Sequence, residues 1–92
     1  MKVRLSTHLR GYTNHLGEVE AGGPTLDEML RDLDRRYPGL RFRIIDEQDR
    51  IREHIKIYVN GQQVQQLSVA LQARDTIHII GALSGGVTVK NG

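Results

Sequence analysis

The chain has 92 residues, no cysteine and a formal net charge of +2, from 13 basic and 11 acidic residues. A chain of this length forms one small domain that buries about 60–65% of its unfolded surface. The near-balanced charge, with one Phe, three Tyr and no Trp, argues against nucleic-acid binding, which relies on basic runs and aromatic stacking platforms. The absence of cysteine excludes disulfides, thiolate metal sites and a cysteine nucleophile.

The sequence carries no sign of a targeting segment, a membrane span or a metal site. Its first residues lack the apolar stretch of a signal peptide, and no later segment approaches the ~18 apolar residues of a membrane span. The four histidines lack the short repeated spacing of a metal site: His8, His15, His54 and His78. We therefore expect a cytoplasmic protein with no nucleic-acid or membrane partner, no metal and no cofactor.

The first part of the chain predicts two strands followed by a helix. Residues 2–9 alternate loosely, and residues 18–21 alternate again after a turn-rich stretch. Thr25 and Glu28 have the spacing of a capping box, which marks a helix start. The helix is expected to pack by one face, because apolar residues recur at helical spacing: Leu26, Met29, Leu30, Leu33 and Tyr37.

A charged stretch follows the helix. Residues 40–45 have the form of a short strand, and residues 46–53 read as an exposed connection. Four arginines here either dock an acidic partner or form a mixed solvated face with interleaved acidic residues: Arg41, Arg43, Arg50 and Arg52. The solvated face is the favoured interpretation, because charges of both signs alternate along this stretch.

Three more strands are predicted after this connection. Residues 55–59 alternate, and Asn60-Gly61 is the preferred pair of a type I′ turn, so residues 62–66 should return antiparallel. Residues 67–75 are expected to form a loop and residues 76–80 the last strand. Two strands, a helix and three strands predict an α+β protein of the β-grasp fold, a small mixed sheet with one main helix on one face.

The last predicted strand is followed by a run of small residues that ends in two glycines: Ala82, Leu83, Ser84, Gly85 and Gly86. We interpret residues 1–81 as the folded domain and residues 82–92 as a flexible C-terminal tail. At this run the sequence resembles the ThiS/MoaD family of ubiquitin-like sulfur carriers, and within it the CysO-like branch. The resemblance extends over about residues 3–86 and is most specific over residues 75–86.

The resemblance implies a carrier and not an enzyme. An E1-like adenylating enzyme would activate the carboxylate of Gly86 with ATP, and sulfur would then replace AMP to give a thiocarboxylate. A sulfur-accepting synthase would take the sulfide for cysteine or another sulfur metabolite. Glycine suits this role physically, because a Cβ on the last residues would add bulk and restrict the backbone in a narrow active-site channel.

Six residues follow Gly86, beginning with Val87, so the carboxylate of Gly86 is not free in the chain as written. We expect cleavage between Gly86 and Val87, and the resemblance suggests a JAMM-type metalloprotease as the partner that removes residues 87–92. Residues 82–85 would be the recognition segment. Ile80 and Leu83, at the root of the tail, either dock on partner enzymes or simply pack.

Two alternatives remain open at the level of the sequence. In the first, the chain is a ubiquitin-like protein modifier that is conjugated to other proteins through Gly86. In the second, it is a β-grasp interaction module whose terminus is never activated. Detection of a branched peptide on another protein would favour the modifier, and recovery of the uncleaved chain from its own cells would favour the module.

Overall fold

The structure, a computed structural model, describes residues 1–81. The strands are β1 (Lys2–Leu5), β2 (Glu18–Glu20), β3 (Ile55–Val59), β4 (Gln62–Val64) and β5 (Thr76–Gly81). The helices are a 3₁₀ helix (Thr7–Tyr12) and two α-helices, α1 (Leu26–Arg36) and α2 (Leu40–Ile44). The predicted order of two strands, a main helix and three strands is confirmed, with two short helices added. Neither α-helix has the length and apolarity that crossing a bilayer would require.

The five strands form one mixed sheet in the order β2-β1-β5-β3-β4. The central strands β1 and β5 are parallel, with Val3 opposite Ile77 and Leu5 opposite Ile79. The other three pairings are antiparallel. A parallel pair requires a long crossover connection, and α1 lies in that connection, between β2 at one edge and β3 beyond β5.

The hydrophobic core lies between the helices and one face of the sheet. Alternate residues of β1, β3 and β5 are buried: Val3, Leu5, Ile55, Ile57, Ile77 and Ile79. The helix contributes a stripe of four: Leu26, Met29, Leu30 and Leu33. The predicted one-sided helix is thus confirmed, and Tyr37 ends it as a partly buried C-cap residue.

The prediction that the first strand runs to Leu9 is wrong. β1 ends at Leu5, and the chain turns into the 3₁₀ helix, where the Leu9 N–H donates to the Ser6 carbonyl at 3.0 Å. Leu9 is nonetheless buried. Its apolar side chain therefore continues the apparent alternation, although the backbone has left the sheet.

The short strand predicted for residues 40–45 is also wrong, because residues Leu40–Ile44 form α2. Leu40 and Ile44 are buried while Phe42 between them is 57% exposed. An i, i+4 pair shares one helix face, and a strand would have placed all three side chains on one side. Gly39 begins the helix with a φ of 97°, a conformation that favours glycine.

The connection predicted for residues 46–53 is a compact turn closed by a bridge between Ile45 and Ile51. The Asp46 carboxylate accepts from the N–H groups of Gln48 at 2.8 Å and Arg50 at 3.0 Å. The Asp46 side chain therefore provides hydrogen-bond partners for two backbone N–H groups of this turn. The fourth strand is shorter than expected and ends at Val64.

Thr25 caps the start of α1 through its side chain, as one half of the predicted capping box requires, and this gives a first testable prediction. The Thr25 hydroxyl accepts from the Glu28 N–H at 3.2 Å and also lies 3.3 Å from the Glu28 carboxylate. Thr25→Ala should lower the free energy of unfolding by about 1 kcal/mol, because one N–H of the first turn loses its partner. Urea unfolding followed by circular dichroism measures this, and Thr25→Ser, which keeps the hydroxyl, should unfold close to the native midpoint.

The buried carboxylate of Asp75 predicts a pH dependence of stability. It accepts from the Gln72 N–H at 2.8 Å and from the Asn60 side-chain amide at 2.9 Å, and the Gln72 bond is the main cause that lowers its pKa. A pKa that is lower in the folded than in the unfolded state stabilises the protein above the ordinary value of 3.8, and the stabilisation is lost as the pH falls. Asp75→Asn should therefore lower the urea midpoint at pH 7 and have a smaller effect at about pH 3. An equal loss at both pH values would contradict this.

Candidate functional site at the end of the last strand

The residues predicted to carry chemistry follow β5. They are Ala82, Leu83, Ser84, Gly85, Gly86 and Val87, and they lie outside the described residues. The structure describes the strand from which they continue, and its last residue, Gly81, is buried. The described part of this site is therefore the end of β5 and the residues that surround Gly81.

Gly81 is enclosed by three parts of the fold. Its N–H donates to the Ser6 hydroxyl at 2.8 Å. A Cβ at this position would contact the side chains of Ile55 at 3.4 Å and Leu9 at 3.6 Å, which is ordinary van der Waals distance. Side chains of β3 and of the 3₁₀ helix thus lie together on the side of Gly81 to which a Cβ would point.

The loop beside Gly81 is held by its own polar contacts. The Arg10 guanidinium donates to the Leu5 carbonyl at 3.0 Å, and the buried Thr13 hydroxyl donates to the Leu16 carbonyl at 2.8 Å. The Leu5 N–H donates to the Gly17 carbonyl at 2.9 Å. The bonds from Arg10 and to Gly17 tie both ends of this loop, residues 10–17, to Leu5 of β1, and the Thr13 bond closes the turn between them.

Ile80, which we singled out for docking, lies on the outer face of the sheet, which no described helix covers. Its side chain is 42% exposed and pairs across the sheet with Lys56. His78 lies on the same face between Arg4 and Tyr58. Ile80 is therefore available at the surface and does not contribute to the core. Leu83, its proposed companion, lies outside the described residues.

Four of the described carboxylates have a pKa below the ordinary value: Asp27, Asp32, Asp46 and Asp75. The largest cause is the Arg31 side chain at Asp27 and a backbone N–H at each of the other three. A general acid at neutral pH requires the opposite shift. Within residues 1–81 no group of three His, Asp or Glu side chains is placed to hold a metal ion.

Sequence reasoning missed two residues of this site. The alternation over residues 2–9 extends the predicted first strand through both Ser6 and Leu9. Ser6 and Gly81 are 75 positions apart, so no local pattern connects them. In the sequence, the only indication of this contact is a serine that follows a strand and directly precedes a helical turn.

A helix-covered mixed sheet with a parallel central pair, followed in the sequence by Gly85-Gly86, defines a ubiquitin-like β-grasp protein. The chain belongs to the ThiS family, whose model matches residues 3–86. The predicted family and fold class are confirmed by this match and by the relatives that follow.

Among characterised relatives, the chain is similar to the sulfur carrier protein CysO of Mycobacterium tuberculosis. The two are 32% identical over 89 residues, which cover 91% of this chain and 96% of the relative. Solved structures of CysO are similar as well. CysO in the BexX/CysO complex of Amycolatopsis orientalis superposes with a TM-score of 0.85 at 32% identity, covering 92% of this chain and 98% of that one.

The structure of a protein that is named as a modifier, and not as a sulfur carrier, is also similar. Small archaeal modifier protein 1 from Methanosarcina acetivorans superposes with a TM-score of 0.77 at 28% identity, covering 92% of this chain and 94% of that one. The fold is thus shared by proteins named as sulfur carriers and by proteins named as modifiers. The distinction between these two roles has to come from the chemistry of the terminus.

Proposed function

We propose that this protein is a sulfur carrier whose Gly86 is activated and converted to a thiocarboxylate. A carboxylate oxygen of Gly86 attacks the α-phosphate of ATP, and pyrophosphate leaves. A sulfide equivalent then attacks the acyl carbon, a C–S bond forms, and AMP leaves. The thiocarboxylate delivers its sulfur to an acceptor and returns to a carboxylate on hydrolysis. In this scheme the protein is a substrate of its partners, and no side chain of its own reacts.

The observation that carries this proposal is the end of the family match at Gly86. Residues 87–92 lie beyond the matched range, directly after the second glycine. A thiocarboxylate requires a free carboxylate, and in the chain as written the Gly86 carbonyl is in a peptide bond. The proposal therefore includes removal of residues 87–92 before activation.

This chemistry needs three partners, and the family resemblance suggests their types. An E1-like enzyme would bind ATP and form the acyl-adenylate, a JAMM-type metalloprotease would cleave between Gly86 and Val87, and a synthase would accept the sulfur. The recognition segment in each case is residues 82–85, with Ile80 and Leu83 as docking residues. The complex between CysO and BexX in A. orientalis supports the idea that carriers of this fold bind partner proteins.

The intact mass of the protein isolated from its native host tests both steps. We expect a species that lacks residues 87–92 and has one oxygen replaced by sulfur. A shortened species without sulfur would support processing alone. A single species that extends to Gly92 in cells with active sulfur metabolism would overturn the proposal and favour an interaction module without an activated terminus.

A protein modifier is the second candidate, and the similarity to small archaeal modifier protein 1 favours it. Both candidates need a free Gly86 and an acyl-adenylate, and they differ in the nucleophile that follows. Sulfide gives the thiocarboxylate, whereas a lysine amine gives an isopeptide bond. Proteomic digests of the host distinguish them, because conjugation leaves a branched peptide that contains the Gly86 carbonyl on a target lysine.

A further inference from the structure

We propose that this protein forms a weak homodimer in which β4 of one copy pairs antiparallel with β4 of a second copy. β4 is the last strand in the order β2-β1-β5-β3-β4, so one side of it has no neighbouring strand in the described part of the chain. An open strand edge presents unpaired N–H and C=O groups to any other strand. This edge plays no part in the proposed function, and the proposal depends only on described residues.

The open edge of β4 carries no charge. Residues 57–73 contain no Asp, Glu, Lys or Arg, although these types make up 26% of the chain. β4 itself, Gln62–Val64, is followed by two more glutamines, and all four glutamines of this stretch are exposed. Proteins ordinarily protect an open edge with charged side chains or proline. Neither is present here, so nothing in the composition of this edge opposes the addition of another strand.

The other edge of the sheet is protected by charge. In β2, the exposed Glu18 and Glu20 flank the buried Val19. Antiparallel pairing of two β2 strands around Val19 would place Glu18 opposite Glu20 of the second copy. Like charges directly opposite each other destabilise a strand pair. Charge therefore favours β4 over β2 as the edge for self-association.

The hydrogen-bond pattern of β4 makes its open edge self-complementary. The two-residue turn that precedes β4 makes Val59 and Gln62 a hydrogen-bonded pair. Since hydrogen-bonded and non-hydrogen-bonded pairs alternate along an antiparallel ladder, the N–H and C=O of Gln63 point to the open edge. In an extended chain, Gln65 is the next residue to do so. Within residues 1–81, the backbone groups of Gln63 and Gln65 make no hydrogen bond outside the ladder.

These two glutamines define the register of the dimer. A two-fold axis at Val64 places Gln63 opposite Gln65 of the second copy, and each such pair exchanges two N–H···O bonds. The side-chain amides of the opposed glutamines both donate and accept, so they can also bond to each other. Residues directly opposite in an antiparallel pair point to the same face. The outer faces of both copies therefore form one continuous surface that carries both Ile80 side chains.

The contact is small, so the dimer is expected to be weak. Pairing of about five residues from each copy buries less than the ~1,200 Å² of a standard interface, and we expect a Kd of roughly 0.1–1 mM. Sedimentation equilibrium of the full chain tests this. The weight-average mass should rise from the monomer value of 10.4 kDa towards twice that value between about 20 µM and about 2 mM protein.

Two results of this experiment would overturn the proposal. The first is a mass that stays at 10.4 kDa over the whole range. The second is a mass that rises beyond twice this value, because pairing of β4 with β2 of the next copy would not close and would give filaments. NMR spectra at the same concentrations locate the contact. The backbone amide signals that shift with concentration should be those of residues 62–66, and shifts confined to other residues would contradict the dimer.

Charged substitutions at the two glutamines test the register. Gln63→Lys combined with Gln65→Lys places like charges opposite each other, and the Kd should rise about three- to thirtyfold. Gln63→Lys combined with Gln65→Glu places each Lys opposite a Glu of the second copy and should restore the Kd to the native value or below. Gln72→Lys changes an exposed glutamine outside β4 and is the matched control, with an unchanged Kd expected.

A second pair of like charges separates the local effect from overall repulsion. Gln63→Glu combined with Gln65→Glu lowers the formal net charge of +2 to zero, so overall repulsion between copies decreases. The Kd should nevertheless rise about three- to thirtyfold, because two Glu residues again lie opposite each other. Equal Kd values in all three double variants would overturn the proposal, since another surface would then carry the association.

Discussion

A chain that ends at Gly86 is expected to be adenylated by its E1-like partner, whereas the chain that continues to Gly92 is expected to be inactive at Gly86. The physical reason is that residues 87–92 place the Gly86 carbonyl in a peptide bond, so no carboxylate oxygen is available to attack ATP. ATP–pyrophosphate exchange measures the first step directly. Since a displacement of ~1 Å already costs roughly a hundredfold in such reactions, the longer chain should show no exchange above background.

A substitution in the shortened chain sharpens this experiment. Gly86→Ala, made in the chain that stops at this position, keeps the terminal carboxylate and adds only a methyl group. It should lose about ten- to a hundredfold in kcat/KM, because the Cβ restricts the backbone and adds bulk at the reacting end. Lys90→Ala in the longer chain is a control that should not restore activity. Exchange by the longer chain, with AMP attached at Gly92, would show that cleavage after Gly86 is not required.

Gly23→Ala is expected to be among the more destabilising substitutions in the domain, although no side chain is removed. A Cβ at Gly23 would lie 2.6 Å from the backbone nitrogen of Met29 and 2.8 Å from the backbone carbonyl carbon of Glu28. Backbone atoms of α1 cannot move aside without shifting the whole helix. The free energy of unfolding should fall by about 2–3 kcal/mol, the upper part of the range for overpacking, as measured by urea unfolding.

The neighbouring glycine provides the matched control. A Cβ at Gly22 would meet nothing within 4 Å, and Gly22 has no positive φ. The bond from its N–H to the Asp32 carboxylate, 2.9 Å long, does not involve a side chain at Gly22. Gly22→Ala should therefore change stability by less than ~1 kcal/mol in either direction. Equal losses from both substitutions would mean that α1 does not approach Gly23 as closely as the structure shows.

These two glycines illustrate the limit of what a sequence pattern can predict. Both glycines follow residues 18–21, the predicted second strand, and no sequence pattern distinguishes Gly22 from Gly23. The close approach of α1 to Gly23 depends on how the helix packs on the sheet. The distinction between the two residues is a property of tertiary structure.

Local patterns succeeded where the interactions themselves are local. The Thr25 side chain caps the helix through a residue three positions away, and the alternation of Ile55 and Ile57 placed both side chains in the core. The family resemblance rested on the same kind of signal, since the run that ends in Gly85-Gly86 is contiguous.

The sequence by itself determined the order of the five strands and the main helix, the α+β class, the family and the Gly-Gly motif, because the signal for each lies in contiguous runs of residues. Only the tertiary structure decided that β1 ends at Leu5, that residues Leu40–Ile44 are helical and that Ser6 holds Gly81. The contact between Ser6 and Gly81 joins residues 75 positions apart, so no local pattern could show it. The Ser6 carbonyl bonds to the 3₁₀ helix, and the Ser6 hydroxyl bonds to the last residue of β5.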